Sequence, residues 1–293
     1  MGKNIISDGN LTPVPLAHLS PPTILIFDSG LGGLSVFREV ARLRPDAHFA
    51  YAADDAGFPY GHLAEAELTA RVYHVVGALV EEVRPDLVVV ACNTASTLAL
   101  PALRARHALP FVGTVPAIKP ACASSRTRQI SVLATPGTVR RDYTASLIRE
   151  FATTCAVTLV ASENLAGFTE DILHGRPVND ADLSAQIAPC FVHGPSGATD
   201  TVVLACTHYP LILERLERLA PWPVQWVDPA PAIARRVASL LSDRPLARPV
   251  EREPAPVRLL STGAPLDAAL ISAWTGRAVA RPHLLFQPFA EAS

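Results

Sequence analysis

Lysine is almost absent from this 293-residue chain. It occurs only at Lys3 and Lys119, and the rest of the 25 basic residues are arginine. Chemistry that depends on a Schiff-base lysine therefore has few residues to draw on. Charge is also scarce, at 18% of residues, and 25 basic against 27 acidic side chains give a formal net charge of −2. Such a balanced chain offers no strong field for a phosphate backbone or an anionic membrane, so we expect neither as a partner.

Long apolar runs and a disulfide framework are missing too. Apolar stretches such as Leu87–Cys92 span only a few residues, far short of the ~18 needed to cross a bilayer. Residues 1–22 have neither the charged region nor the apolar region of a signal peptide, so we expect a flexible extension and a cytoplasmic protein. The cysteines are odd in number and widely spread, which predicts reduced thiols. They are Cys92, Cys122, Cys155, Cys190 and Cys206.

What the chain does contain is an alternation of short apolar runs with longer amphipathic stretches. Helical periodicity marks Glu65–Val83, Val139–Phe151 and Leu211–Leu219. Alternation of this kind predicts an α/β fold with parallel sheets, and the nearly all-apolar strands predict helices on both sheet faces. The predicted strands are Thr23–Phe27, His48–Ala52, Leu87–Ala91, Phe111–Val112, Ile130–Ala134, Val157–Val160, Thr201–Ala205, Val224–Val227 and Val257–Leu260.

The chain also carries an internal duplication. The segment Val88–Thr94 aligns with Val202–His208, as an apolar strand followed by Ala, Cys and two polar residues. Each is preceded by a strand that ends in a polar turn, Ile26–Gly30 and Leu133–Gly137. We therefore predict two similar parallel-sheet α/β domains related by pseudo-symmetry. The predicted divisions are residues 1–22 as the extension, 23–115 plus 229–293 as the first domain, and 116–228 as the second.

Three polar side chains follow predicted strands, where open α/β sheets bind ligands: Asp28, Cys92 and Cys206. A thiol at a helix N-terminus has a lowered pKa, so both cysteines are candidate bases or nucleophiles. The plain alternative is that each is a small buried residue. Their matching places in two duplicated units favour a functional role. The other three cysteines lack such settings and are predicted to be structural.

The segment Asp28–Gly33 invites comparison with a dinucleotide-binding loop. Its third glycine position holds Ser35, so the match is weak and no nucleotide is needed to explain it. Either Asp28 or Ser29 caps the next helix, or Ser29 and the helix N-terminus bind a carboxylate while Asp28 handles a proton near Cys92.

The sequence Cys206-Thr207-His208 places an imidazole two residues from a thiol. The spacing is a poor zinc signature, and no metal is expected. His208 is open to two interpretations, a capping or surface residue and a catalytic helper. Glu170 is similarly open, because one Glu on an amphipathic helix is most often a solvated charge.

Five segments together resemble the glutamate racemases of the aspartate/glutamate racemase superfamily. The resemblance runs from about Thr23 to Ser261 and implies a site in the cleft between two α/β domains. It further implies cofactor-independent, two-base racemisation of L-glutamate to D-glutamate for peptidoglycan synthesis. The segments are IFDSGLGGLSV (26–36), YAADDAGFPYG (51–61), ACNTAS (91–96), SVLATPGTV (131–139) and ACTHYPL (205–211).

The resemblance also implies roles for individual residues. Cys92 matches the thiol on the D-enantiomer's face, with Asp28 as its acidic partner, and Cys206 matches the thiol on the L face. His208 and Glu170 match the helpers beside Cys206. The residues that match substrate-binding positions are Asp28, Ser29, Tyr60, Gly61, Asn93, Thr94, Thr207 and His208.

The chain departs from the family pattern at two places. Asp55 stands where the family has Thr, and an added carboxylate near an anionic substrate is unfavourable unless it is paired or turned away. The family's Ala-Cys-Pro is replaced by Ala161-Ser162-Glu163, which makes the match at Glu170 the weakest.

Other functions compete with glutamate racemisation. A pyridoxal-phosphate racemase needs a Schiff-base lysine, and neither Lys3 nor Lys119 has a suitable setting. A racemase for aspartate or another amino acid stays open because of Asp55. A non-catalytic protein that closes on an acidic ligand also stays open, although binding alone requires neither thiol. By resemblance, a homodimer is expected.

Overall fold

The computed structural model describes residues 21–242 and 255–285. The predicted extension at residues 1–22 lies outside this part of the chain except for Pro21 and Pro22. The strands are β1 (Thr23–Asp28), β2 (His48–Ala53), β3 (Leu87–Val90), β4 (Phe111–Gly113), β5 (Gln129–Ala134), β6 (Ala156–Ala161), β7 (His193–Gly194), β8 (Gly197–Ala198), β9 (Thr201–Ala205), β10 (Gln225–Val227), β11 (Arg258–Ser261) and β12 (His283–Leu284).

Helices connect most of these strands. They are α1 (Leu34–Leu43), α2 (Glu65–Val83), α3 (Asn93–Arg106), α4 (Ile118–Ser124), α5 (Pro136–Val139), α6 (Asp142–Phe151), α7 (Leu165–Leu173), α8 (Asp180–Ile187), α9 (Leu213–Leu219), α10 (Ala230–Leu240) and α11 (Ala268–Thr275). Within the described ranges, no helix is long and apolar enough to span a bilayer.

The strands form two parallel sheets with matching strand orders. The first sheet runs β12-β11-β2-β1-β3-β4 and the second runs β10-β9-β5-β6. The order β2-β1-β3-β4 in the first sheet corresponds to β6-β5-β9-β10 in the second. The predicted α/β class and internal duplication are therefore confirmed by the topology. Between β6 and β9 the second half adds a further helix, α8, and a small antiparallel hairpin, β7 with β8.

Both sheets are covered by helices, which explains their apolar strands. In the first sheet α1, α10 and α11 cover one face, while α2 and α3 cover the other. In the second sheet α7, α8 and α9 lie on one face and α4 and α6 on the other. The edge strand β6 departs from the prediction, because Ala156, Leu159 and Ala161 are exposed.

Two of the predicted helices are interrupted. The stretch predicted over Val139–Phe151 is split, because α5 ends at Val139 and α6 begins at Asp142. The stretch predicted over Leu211–Leu219 begins as a 3₁₀ turn at Tyr209–Ile212, and α9 starts only at Leu213. Pro210 lies in that turn, where its missing N–H is tolerated at a helix start.

The chain passes between the two sheets twice. Strand β4 belongs to the first sheet, and the next helix, α4, packs on α6 and β9 of the second. Strand β10 belongs to the second sheet, and the next helix, α10, packs on α1 of the first. The boundaries of the two domains at 115/116 and 228/229 stay a prediction.

Candidate active site

A cavity lined by several polar side chains lies beyond the carboxyl ends of the central strands of both sheets. Cys92, which follows β3 of the first sheet, and Cys206, which follows β9 of the second, both line it. Most of the site residues predicted from the sequence therefore meet in one place. The lining residues are Ser29, Phe58, Pro59, Tyr60, Gly61, Cys92, Asn93, Thr94, Thr135, Ala166, Cys206, Thr207 and His208.

Cys92 is a buried thiol at the start of a helix. It is the residue before α3, and its Sγ lies 3.9 Å from the Ser29 hydroxyl. Burial and the nearby negative charge of Asp28 raise the pKa of Cys92 well above its usual value, and a hydrogen bond with the Ala95 backbone only partly opposes them. The prediction that the helix N-terminus lowers this pKa is wrong, because the cost of burying the thiolate outweighs the helix dipole. Cys92 therefore carries its proton at neutral pH.

Asp28 links the two halves of the site. Its Oδ1 accepts hydrogen bonds from the Gly30 amide (3.1 Å) and the Ser29 hydroxyl (3.3 Å), and its Oδ2 accepts one from the Thr207 hydroxyl (2.9 Å). The carboxyl group is fully buried, and this burial raises its pKa against the opposing effects of the His208 charge and the Thr207 hydrogen bond. Neither Asp28 nor Ser29 caps α1, which begins after Gly33 without a side-chain cap.

Cys206 has a different local setting from its counterpart. A turn and a 3₁₀ segment follow it, so the predicted helix N-terminus is absent at this thiol. Its Sγ instead lies 3.7 Å from Nδ1 of His208, and Nε2 of that ring lies 2.9 Å from Oε1 of Glu170. The Leu31 amide donates to the same carboxylate oxygen at 2.6 Å. The structure thus brings the two predicted helpers, His208 and Glu170, together beside Cys206.

His208 and Glu170 shift each other's pKa beside Cys206. Burial alone would lower the pKa of His208, but its hydrogen bonds with Cys206 and Glu170, and their negative charges, raise it well above the usual value. Burial alone would raise the pKa of Glu170, but the hydrogen bond from His208 and its positive charge lower it. Both shifts favour the charged form of the pair, with the proton on His208 and not on Glu170.

The glycines of the β1–α1 loop let these groups approach the loop backbone. The Gly32 amide lies 3.2 Å from Nε2 of His208. A methyl group at Gly32 would overlap with the His208 ring and lie 2.5 Å from the Thr207 hydroxyl, and one at Gly30 would overlap with Glu170. The glycines predicted as a weak dinucleotide motif are thus explained by close packing of the catalytic candidates.

Replacing Gly32 by alanine is expected to lower kcat by about tenfold or more, because it must displace His208 by several tenths of an ångström in a site where small misplacements are costly. Steady-state kinetics on the folded variant measures this. Gly167→Ala is the matched control, because a methyl group there meets nothing within 4 Å and alanine favours the helix. Equal activity of the two variants would contradict this account of the loop.

Asn93 is the clearest unpaired polar group in the cavity. It is 2% exposed, and neither Oδ1 nor Nδ2 of its side chain has a hydrogen-bond partner among the described residues. Buried polar atoms are normally satisfied, so an amide left open at a cavity wall is suited to a ligand with both acceptors and donors. An amino acid offers both, as a carboxylate and an ammonium group.

Replacing Asn93 by alanine is expected to raise KM about 10- to 100-fold with a smaller effect on kcat, because a hydrogen bond to a charged group contributes roughly 1.5–3 kcal/mol. Initial rates over a range of substrate concentrations test this. The exposed Asn164→Ala variant is the control. An unchanged KM would remove Asn93 from the binding residues.

The structure adds residues that the sequence did not single out. Thr135 lines the cavity and its hydroxyl lies 2.9 Å from that of Thr94. Its signal was present in the duplication, because Thr135 occupies the place in the second half that Asp28 occupies in the first. Phe58 packs against the His208 ring with centroids 5.3 Å apart. Tyr60, which was predicted to bind the substrate, lines the cavity, but its hydroxyl donates to buried Asp54.

Asp55 does not face this cavity. Its carboxylate accepts hydrogen bonds from the amides of Thr262 (3.0 Å), Gly263 (2.8 Å) and Ala264 (2.7 Å). The unusual acid thus holds the loop after β11 and is turned away from the substrate-binding candidates. Among the described residues, no group of His, Cys, Asp and Glu side chains is placed to hold a metal ion, and all five cysteines are free thiols.

Fold and cavity together define a class: α/β proteins with two similar parallel sheets, each contributing a cysteine to one polar cavity. The model of the Asp/Glu/hydantoin racemase family matches residues 32–237. This chain belongs to that family.

Individual relatives support the assignment. Glutamate racemase of Brucella anthropi is 52% identical over 236 residues, which cover 80% of this chain and 84% of the relative. The structure of Escherichia coli glutamate racemase, in complex with L-glutamate and the activator UDP-MurNAc-ala, superposes with a TM-score of 0.77. The two sequences are 41% identical, and the match covers 86% of this chain and 93% of the E. coli chain. The structure of glutamate racemase isoform RacE1 of Bacillus anthracis superposes with a TM-score of 0.74 and is 25% identical in sequence. The match covers 88% of this chain and 95% of that chain.

Proposed function

We propose that this protein interconverts L- and D-glutamate by a two-base mechanism without a cofactor. The observation that carries the proposal is that Cys92 and Cys206, contributed by two different sheets, line the same cavity. Racemisation removes the α-proton from one face of the substrate and returns a proton to the other. Two thiols that reach a bound substrate from two sheets can do this without a swing of either group.

The protonation of the site suits the L-to-D direction. Cys206 lies 3.7 Å from Nδ1 of His208, so this ring is placed to assist Cys206 when it removes the α-proton from the L face. Cys92 holds its proton, because burial and Asp28 raise its pKa, and delivers it to the opposite face. In the D-to-L direction the two thiols exchange roles.

The cavity also has groups for the charged parts of glutamate. The side-chain amide of Asn93 and the hydroxyls of Ser29, Thr94 and Thr207 are the polar candidates, together with the backbone amides that open α3. Donors aimed at a carboxylate stabilise the charge that develops on it as the α-proton leaves. Asp55 gives no reason to prefer aspartate to glutamate as the substrate, because its carboxylate is held by the backbone of a loop.

Incubating the purified protein with L-glutamate in D₂O, with no cofactor added, tests the proposal. We expect D-glutamate with α-deuterium, measured by chiral chromatography with mass spectrometry. The same incubation with L-aspartate separates the two racemase hypotheses. Racemisation of aspartate alone would assign the protein to that substrate, and binding of glutamate without turnover would support the non-catalytic alternative.

The cellular role follows from the product. D-glutamate would supply peptidoglycan synthesis in the cytoplasm, as the sequence resemblance implies, and the domain division at 115/116 and 228/229 would place the substrate in the cleft. Growth of a D-glutamate-requiring bacterium that expresses this chain tests the role. Size-exclusion chromatography with light scattering tests the expected homodimer.

A further inference from the structure

A second cavity lies on the outer side of Glu170. It has a volume of about 350 Å³ and is lined by Phe58, Glu170, His174 and the loop after β11, among other residues. Phe58 and Glu170 lie between this cavity and His208, and Phe58 lines both cavities. Glu170 is the polar group that connects the two spaces.

Three side chains, His208, Glu170 and His174, lead in order from Cys206 to the second cavity, with one gap longer than a hydrogen bond. Cys206 Sγ lies 3.7 Å from Nδ1 of His208, and Nε2 of His208 lies 2.9 Å from Oε1 of Glu170. The other carboxylate oxygen of Glu170, Oε2, lies 3.8 Å from Nδ1 of His174, which also bonds to the Glu170 carbonyl oxygen at 2.8 Å. His174 is 35% exposed and so already reaches water, and its Nδ1 must leave the Glu170 carbonyl to approach Oε2.

The other charged groups around the second cavity are engaged elsewhere. Arg176 pairs with Asp171 at 2.7 Å, and Asp267 caps α11 through a hydrogen bond from the Leu270 amide at 3.0 Å. The carboxylate of Asp55 is held by three amides. His174 is therefore the titratable side chain of this cavity that lies against Glu170.

We propose that His208, Glu170 and His174 form a proton relay that connects Cys206 to water in the second cavity and resets the enzyme between turnovers. This inference rests on the proposed racemase function. His174 does not touch the substrate in this scheme and acts only through Glu170.

The proton balance of the reset is simple. After an L-to-D turnover, Cys206 carries the α-proton and Cys92 has lost its own. Cys206 gives its proton to His208 as His208 passes one to Glu170. The His174 ring then turns away from the Glu170 carbonyl with its own proton on Nε2, so that its free Nδ1 accepts the proton of Glu170 and Nε2 releases one to water. Cys92 takes a proton from water that enters the emptied substrate cavity. The same steps in reverse serve the D-to-L direction.

The Cys92 side has no comparable route among the described residues. Its neighbour Ser29 bonds to Asp28, which is 0% exposed and bonds onward only to Gly30 and Thr207. Cys92 thus exchanges protons through the substrate cavity, whereas Cys206 has a separate exit. The two thiols therefore differ in how they reach solvent.

The His174→Gln variant tests the relay, because glutamine keeps a polar side chain but cannot transfer a proton as imidazole does. A slowed reset limits turnover only at saturating substrate. We expect kcat to fall about tenfold or more in both directions while kcat/KM is unchanged, and added imidazole to restore kcat. His48→Gln, an exposed histidine at the opposite end of β2 from the site, is the control.

A measurement without substrate keeps this test separate from the proposed function. Exchange of the His208 ring N–H with water, followed by NMR on histidine labelled with ¹⁵N, is expected to slow at least several-fold in His174→Gln. An unchanged exchange rate, an unchanged kcat, or equal losses in kcat and kcat/KM would overturn the relay. If the wild-type protein does not racemise glutamate, the proposed function fails and the exchange rate alone decides the relay.

Discussion

Serine in place of either Cys92 or Cys206 is expected to lower kcat for glutamate by about 10³-fold or more in both directions, because each turnover uses one thiol as base and the other as acid. A serine hydroxyl is close in size but is a much weaker acid, so the cavity keeps its shape while the proton transfer fails. The two variants are compared by following D-glutamate formation from L-glutamate and the reverse reaction with the same assay.

The matched control for these variants is Cys155→Ser. Cys155 is a half-buried thiol near Cys122 and does not line the cavity, so its loss is expected to leave kcat within about twofold of the wild type. Thermal unfolding of all three variants shows whether the fold is kept. A Cys92→Ser or Cys206→Ser variant that folds and retains more than a tenth of the wild-type kcat would rule out the two-base scheme.

Most of the fold could be predicted from the sequence, because it depends on local patterns. Short apolar runs are the signature of strands covered on both faces, and each of the nine predicted runs, which are two to five residues long, overlaps a strand of the structure. The duplicated strand-Ala-Cys segments predicted the repeated order of the two sheets. The two-residue strands β7, β8 and β12 were missed because such short elements have no periodicity to detect.

The local environment of the cysteines could not be predicted in the same way. The two cysteine segments align residue for residue, yet α3 begins after Cys92 whereas a 3₁₀ turn follows Cys206. The pKa of a thiol depends on its burial and on charges from other segments as well as on its own helix. Cys92 is 6% exposed near Asp28, and neither fact is visible in a sequence window.

The contacts of Glu170 could not be predicted from the sequence either. In the sequence, Glu170 is one acid on an amphipathic helix, 38 positions before His208. In the structure, α7 carries it to the β1–α1 loop, where it accepts a hydrogen bond from Leu31 of the first sheet's loop and contacts His208. The Leu31 contact is created only by the packing of one half of the molecule on the other, and the His208 contact only by the packing of α7 beside the end of β9, so no local pattern could rank Glu170 above other acids.

Asp28 is the residue in which the two halves of the molecule are most directly joined. It follows β1 of the first sheet, and it binds Thr207, the neighbour of Cys206 in the second. A single carboxylate therefore positions the Ser29 hydroxyl against Cys92 and the Thr207 hydroxyl beside Cys206. Its buried negative charge also helps keep the proton on Cys92.

Replacing Asp28 by asparagine is expected to lower kcat/KM by about 10²-fold in both directions. The amide has one oxygen acceptor, so its NH₂ group must face either the Thr207 hydroxyl or the Gly30 amide, and the charge near Cys92 is lost. Asp228→Asn is the control, because Asp228 is also a carboxyl group whose pKa is raised by burial, follows a strand in the second sheet, and does not line the cavity.

The pH dependence of the same variant identifies the role of the charge. Burial raises the pKa of Asp28 above 3.8, so the carboxylate takes up a proton as the pH falls through that raised value, and wild-type activity should fall with it. The residual activity of Asp28→Asn should lack this acid limb, since an amide does not titrate, whereas Asp228→Asn should keep it. Profiles of kcat/KM from pH 4 to pH 8 measure the difference. If the acid limb persists unchanged in Asp28→Asn, the titrating group is another residue, and Asp28 serves only to hold Thr207 and Ser29 in position.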